Sequence, residues 1–162
     1  MDAQELAQDV VRLAVAHGVT VGTAESCTGG LVSGAITSIA GSSQALRGGI
    51  VSYDPAVKHD VLGVGQDIID DPSRGVVSSD CAYAMCVGAR KVLGCDVAVS
   101  VTGIAGPGGE EPGKPVGTVW FGLATPRAVK TECCLFSGDR AAVREAAVNH
   151  ALRLLCGGIE EA

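Results

Sequence analysis

The alternation of apolar and polar positions divides the chain into helical and extended stretches. Leu6, Val10, Leu13 and His17 recur at helical spacing, and Asp2 followed by Glu5 forms a capping box, so a first helix is expected over Ala3–His17, stopped by Gly18. Val19–Ala24 is a short apolar run and reads as a strand. Leu31–Ile39 is compatible with a second helix; its small-residue face of Leu31, Gly34, Ala35 and Ser38 suits close packing on a sheet, and Ala40-Gly41-Ser42-Ser43 ends it. Leu46–Tyr53 is a further strand, after which Asp54 and Pro55 supply the cap and first residue of a short helix carrying Val57, Lys58, Val61 and Leu62. Gly65–Gly75 reads as a polar loop, and Ser78 or Ser79 caps a long helix, Asp80–Leu93. Val97–Val101 is apolar and β-branched and reads as a strand buried on both faces. A glycine- and proline-rich loop, Thr102–Gly117, leads to an antiparallel hairpin of Thr118–Ala124 and Val129–Phe136. Asp139 caps a last helix with Val143, Ala147, Ala151 and Leu154, expected to end at Gly157-Gly158.

This order predicts an α/β fold in a single domain spanning residues 1–162: three layers, α/β/α, with a mixed, mostly parallel sheet and an antiparallel hairpin near the C-terminus. In such sheets ligands sit beyond the carboxyl ends of parallel strands. Three loops leave strands there: the turn at Ser26, the Tyr53-Asp54 turn and the loop from Thr102.

Composition narrows the partners. Aromatic residues make up only 3% of the chain, so the core is built from Val, Ala, Leu and Ile. A net charge of -6 argues against a broad nucleic-acid surface, which needs clustered Lys and Arg, so any bound anion is small and locally held. The N-terminus lacks a signal-peptide pattern and no apolar run is long enough to span a bilayer, which leads to the expectation of a cytoplasmic protein without a membrane partner. Seven cysteines without a C-x-x-C pair indicate neither a disulfide framework nor a zinc site.

The densest chemistry lies in Thr23-Ala24-Glu25-Ser26-Cys27-Thr28-Gly29-Gly30, where a strand gives way to a helix. A helix start offers unpaired N–H groups and partial positive charge, suited to an anion or a developing oxyanion. Ser26 reads either as a helix cap or as a nucleophile, and Cys27 is its rival, because a thiol at a helix start can ionise more easily. His17, His59 and His150 are poorly placed as bases. Lys58 falls in the first turns of a helix, where the dipole disfavours a cation; partly desolvated, it can act as a general base, whereas solvated it is a surface lysine. Arg140, in the first turn of the last helix, suits a carboxylate or phosphate ligand or a pairing with Asp139. Tyr53 can hold a substrate oxygen or simply pack. Gly103–Gly109 is neither a P-loop nor a dinucleotide fingerprint, and Asp67, Asp70 and Asp71 lack metal-ligand spacing.

Taken together, Thr23–Gly30, Gly49-Ile50-Val51-Ser52-Tyr53 with Lys58, Val77-Ser78, Thr102-Gly103-Ile104-Ala105-Gly106-Pro107, Lys114–Val119 and Gly138-Asp139-Arg140 closely resemble the CinA carboxy-terminal domain family in its stand-alone form. That family includes the nicotinamide-nucleotide amidohydrolases. The resemblance implies hydrolysis of the carboxamide of nicotinamide mononucleotide (NMN) to nicotinate mononucleotide and ammonia, returning pyridine nucleotide towards NAD, with no cofactor and no metal. It places the catalytic residues on Ser26, Lys58, Tyr53 and Thr102 and substrate contacts on Arg140, Cys27, Thr28, Gly29, Gly30 and Gly103. It also implies a homo-oligomer, and a non-catalytic nucleotide-binding module of the same family is the alternative. The mechanism expected is a serine nucleophile with a lysine base, an oxyanion held by backbone N–H groups from Thr28 to Gly30, and a phosphate anchored by Arg140.

Overall fold

The computed structural model describes residues 1–162. Helix α1, Ala3–His17, starts at the expected capping box: Asp2 accepts from the Glu5 N–H while Glu5 accepts from the Asp2 N–H, and Gly18 closes the helix in the left-handed region. Strand β1, Val21–Glu25, is followed by α2, Leu31–Thr37, and then by β2, Leu46–Val51. Helix α3, Pro55–Leu62, has Asp54 as its cap. A short helix α4, Gln66–Asp70, stands where sequence suggested only loop; Arg74 gathers Asp67, Asp71 and Asp80 and pins this polar stretch. Helix α5, Ser79–Leu93, is capped by Ser78. Strands β3, Val97–Gly103, β4, Thr118–Ala124, and β5, Val129–Leu135, precede α6, Arg140–Glu161.

The last helix runs through the glycine pair expected to stop it. Gly158 is buried, and a Cβ there would lie 2.9 Å from Val97 Cγ1 and 3.0 Å from Leu123 Cδ1. The missing side chain lets the helix approach the sheet, and Ile159 beyond it is fully buried. Close packing thus outweighs the low helix propensity of glycine.

The five strands form one sheet in the order β2-β1-β3-β4-β5. β1 pairs in parallel with β2 and β3, and the pairings of β3 with β4 and β4 with β5 are antiparallel. Helices α1, α2 and α6 pack on one face over the larger apolar core, which takes Val97, Val99 and Val101 from β3. Helices α3, α4 and α5 form the other layer over a smaller core containing Ala24, Met85 and Ala98. β1 and β3 are buried on both faces, whereas the edge strands β2 and β5 alternate. The expected three-layer mixed architecture with a C-terminal hairpin is the one formed. No helix is long and apolar enough to cross a membrane.

The connection from β1 to β2 lies on the α2 face, and the connection from β2 to β3 crosses on the α5 face. β1 therefore stands at the point where the strand order reverses, the place where open α/β sheets leave a crevice at their carboxyl ends.

Candidate active site

Strand periodicity decides what each residue at the end of β1 meets. Successive side chains leave a strand on opposite faces. Glu25 turns towards α2, and Ser26, one residue later, meets Lys58 from α3 on the other layer.

Glu25 is fully buried and accounts for most of the helix-start donors. Its carboxylate accepts from the N–H groups of Gly30 at 3.2 Å, Val32 at 2.9 Å and Ser33 at 3.0 Å, and from the hydroxyls of Thr23 and Ser33. The anion that α2 attracts is thus the chain's own. Gly29 and Gly30, at φ of 58° and 99°, supply the left-handed backbone this wrap requires. The Gly29 N–H donates to the Ser26 carbonyl and the Leu31 N–H to that of Thr28. Within the turn, the N–H groups of Cys27 and Thr28 have no backbone acceptor, so the free donors lie nearer Ser26 than the glycines do.

Lys58 is 1% exposed, which is unusual for a lysine, and its ammonium nitrogen has three oxygen neighbours. They are Ser26 Oγ at 2.9 Å, the Ser52 carbonyl and the Tyr53 carbonyl at 3.3 Å. The two carbonyls only accept. A neutral amine donating its two N–H bonds to them directs its lone pair at the Ser26 hydroxyl, while a protonated amine donates to all three. The proton can therefore sit on either end of the Ser26–Lys58 line with every partner satisfied. Burial lowers the Lys58 pKa from 10.5. Among the groups that oppose this shift, the Cys81 and Cys27 thiols are themselves pushed up to about 11, again by burial, and stay neutral near pH 7, so they supply no counter-charge. The Ser52 N–H donates to the Glu25 carbonyl at 2.8 Å, which fixes the base's platform to the nucleophile's strand.

The other predicted positions distribute as follows. Tyr53 contributes its carbonyl to Lys58, while its exposed ring carries the hydroxyl to 3.4 Å from Arg140 Nη2. Arg140 Nη1 donates to the Gly106 carbonyl at 2.8 Å. Thr102 is buried beside the turn, but its hydroxyl donates to the Val76 carbonyl at 2.6 Å rather than to Ser26 or Lys58. Cys27 is buried with its thiol neutral at physiological pH, and Thr28 is fully buried with a hydroxyl that has no partner. Gly103 is bare because β4 crowds it: a Cβ would lie 2.7 Å from the Thr118 carbonyl.

Sequence reasoning missed three contributors. Glu25 and Ser52 lie inside quoted motifs, yet their roles depend on pairing between β1 and β2. Arg144, on α6, donates from Nε to the Cys27 carbonyl at 3.0 Å and from Nη2 to the Thr28 carbonyl at 3.5 Å. Its one-turn spacing from Arg140 was the available signal. Both arginines line a cleft of about 640 Å³ with Ala105, Pro107, Val116 and Asp139. Ser26 and Lys58 do not line that cleft, but Arg140 and Arg144 connect it to Tyr53 and to the turn that holds Ser26.

Comparison with known proteins places the chain in a family. A family model described as the CinA C-terminal domain matches residues 3–158. The chain is 45% identical over 157 residues to the nicotinamide-nucleotide amidohydrolase PncC of Escherichia coli K12, covering 95% of this chain and 93% of that one. It is 43% identical to a CinA-like protein of Syntrophotalea carbinolica over 94% of its own length but 36% of the relative's. Among solved structures, a CinA superfamily protein from Klebsiella pneumoniae superposes with a TM-score of 0.93 at 33% identity, covering 100% of both chains.

Proposed function

The chain belongs to the CinA C-terminal domain family, and from that premise we propose that it hydrolyses the carboxamide of NMN to nicotinate mononucleotide and ammonia. The observation that carries this reading is the 2.9 Å contact between Ser26 Oγ and a buried Lys58 whose pKa burial lowers. The similarity to PncC supports the substrate class.

In this reading neutral Lys58 takes the Ser26 proton as Oγ attacks the amide carbon. The C=O bond opens to a tetrahedral oxyanion, held by the Cys27 N–H at the turn; a donor of this kind contributes about 3 kcal/mol in other hydrolases. Protonated Lys58 then hands its proton to the amide nitrogen as the C–N bond breaks, releasing ammonia and leaving an acyl ester on Ser26. Water, deprotonated by the same lysine, attacks the ester and restores the serine. Lys58 suits the donor role better than Thr102, whose hydroxyl is committed to Val76, or Tyr53, whose hydroxyl stands at Arg140. Arg140 binds the ribose phosphate through charge-assisted hydrogen bonds. The reaction serves nucleotide recycling in the cytoplasm, by a homo-oligomer.

The test is ammonia release from NMN by the purified protein at neutral pH, with Ser26→Ala as control. The reading expects turnover that the variant abolishes while NMN binding persists. Binding without turnover in the unmodified protein would leave only a nucleotide-binding module.

A further inference from the structure

Resting on the nucleotide reading, we propose that Arg144 is a second phosphate ligand, a specificity-determining residue that couples occupancy of the phosphate cleft to the turn carrying Ser26. Arg140 and Arg144 are four residues apart on α6 and line the same cleft. Like charges at this spacing repel, and neither guanidinium takes part in any of the chain's ion pairs. Asp139, the one acid in the lining, is occupied as the cap of α6, accepting from the Ala142 N–H at 2.9 Å. On a chain with a net charge of -6, two unpaired guanidiniums beside the start of a long helix make a local positive well.

The cleft, at about 640 Å³, is of a size that takes a mononucleotide-sized ligand. Ser26 and Lys58 stand outside its lining, which suits a substrate that seats an anionic end in the cleft and extends its scissile amide beyond it.

Arg144 is divided between two tasks. Nε and Nη2 are spent on the Cys27 and Thr28 carbonyls, while Nη1 has no protein acceptor. The guanidinium lies against Gly29, where a Cβ would stand in van der Waals reach of Nη2, at 3.4 Å. The Cys27 carbonyl and the Thr28 N–H belong to one peptide plane, so a bond to the carbonyl fixes that plane and with it the backbone beside the nucleophile. A phosphate bridging Arg140 and Nη1 of Arg144 would hold the guanidinium in place. Anion binding then steadies the turn, and a substrate without phosphate loses rate as well as affinity.

The experiment compares NMN with nicotinamide riboside for the unmodified protein, Arg144→Gln and Arg144→Lys, with inorganic phosphate binding followed by calorimetry. The unmodified protein should prefer NMN in both kcat and KM. Arg144→Gln should cut that preference, and phosphate affinity, by about tenfold or more, with Arg144→Lys in between. Equal losses on both substrates, leaving the preference unchanged, would make Arg144 a support of the turn alone and overturn the proposal. So would equal use of both substrates by the unmodified protein, a result that stands even if the variants do not fold. Phosphate binding that depends on Arg144 in a protein that releases no ammonia would instead retain this proposal and remove the deamidase reading.

Discussion

The Nζ of Lys58 and the Oγ of Ser26 lie 2.9 Å apart across 32 residues of sequence. Two strand ends and one helix start produce that distance. β1 delivers the serine, β2 delivers the Ser52 and Tyr53 carbonyls, and α3, set by Asp54 and Pro55, swings the lysine back over both. The relationship sets the first prediction, which concerns the base. Lys58→Arg retains the charge but cannot give up a proton near neutrality, so kcat should fall by about a thousandfold or more. In the unmodified enzyme the base works when neutral, so kcat/KM should rise with pH through the lowered Lys58 pKa and level off above it, with a midpoint below 10.5. A flat profile between pH 6 and 9 in steady-state ammonia release, combined with an active Lys58→Arg variant, would remove the lysine from the chemistry.

A second prediction follows from Glu25, which occupies the helix start in place of a ligand. Glu25→Gln turns one acceptor oxygen into an N–H₂ group that faces backbone donors. The loss should be about 2–3 kcal/mol, read as a lower urea midpoint with unchanged slope. Because the Ser26 turn is wrapped on this carboxylate, kcat should fall with it. Unchanged stability would show that the carboxylate's five contacts are replaceable by solvent.

The layers of the fold were legible because each long element carries its own local signal. The capping box of α1, the Asp-Pro start of α3 and the β-branched run of β3 all encode their structure within a few residues. Ser26 and Lys58 stand out as candidates for a related reason: each sits near an element boundary where its chemistry is out of place, and the fold brings them together. Glu25 and Arg144 do not. A carboxylate at a strand end and an arginine on a polar helix face look solvated until the parallel pairing of β1 with β2 and the packing of α6 give them partners. Gly157-Gly158 misled for the same reason, since nothing local distinguishes a stop from a close approach to Val97 and Leu123.

Buried thiols give a third prediction. Burial pushes Cys81 and Cys95 up to about 11 and Cys86 up to about 12, each from 9.0. The native state keeps these protons after the unfolded chain has begun to lose them. Their contribution is full below pH 9 and declines as pH rises through 9 to 11, by about 1.4 kcal/mol per pH unit for each thiol. Lys58 works in the opposite sense: its native pKa lies below 10.5, so the unfolded chain holds the extra proton and stability rises with pH across that window. Several thiols outweigh one lysine. Urea unfolding should therefore show markedly lower stability at pH 10 than at pH 8, and equal midpoints at the two pH values would contradict the burial of these groups.

The last prediction concerns how α3 is seated. Gly88, on α5, faces the C-terminal end of α3 so closely that a Cβ would lie far inside van der Waals contact with the Leu62 carbonyl. No rotamer change relieves such a clash, because the obstacle is backbone; α3 must move. Gly88 is therefore a spacer for the helix that carries the base, although it stands far along the sequence from Lys58 and touches none of the reacting atoms. Gly88→Ala should cost about 1–3 kcal/mol of stability by overpacking. More tellingly, displacement of α3 carries Lys58 away from Ser26, and small misplacements of catalytic groups are expensive: about a hundredfold for an ångström. With NMN bound at the α6 cleft as proposed, the variant should keep its KM while kcat falls at least tenfold. Gly88→Ala with wild-type kcat would mean that α3 can shift without disturbing the Ser26–Lys58 pair, and that the pair is held by the Ser52 and Tyr53 carbonyls alone.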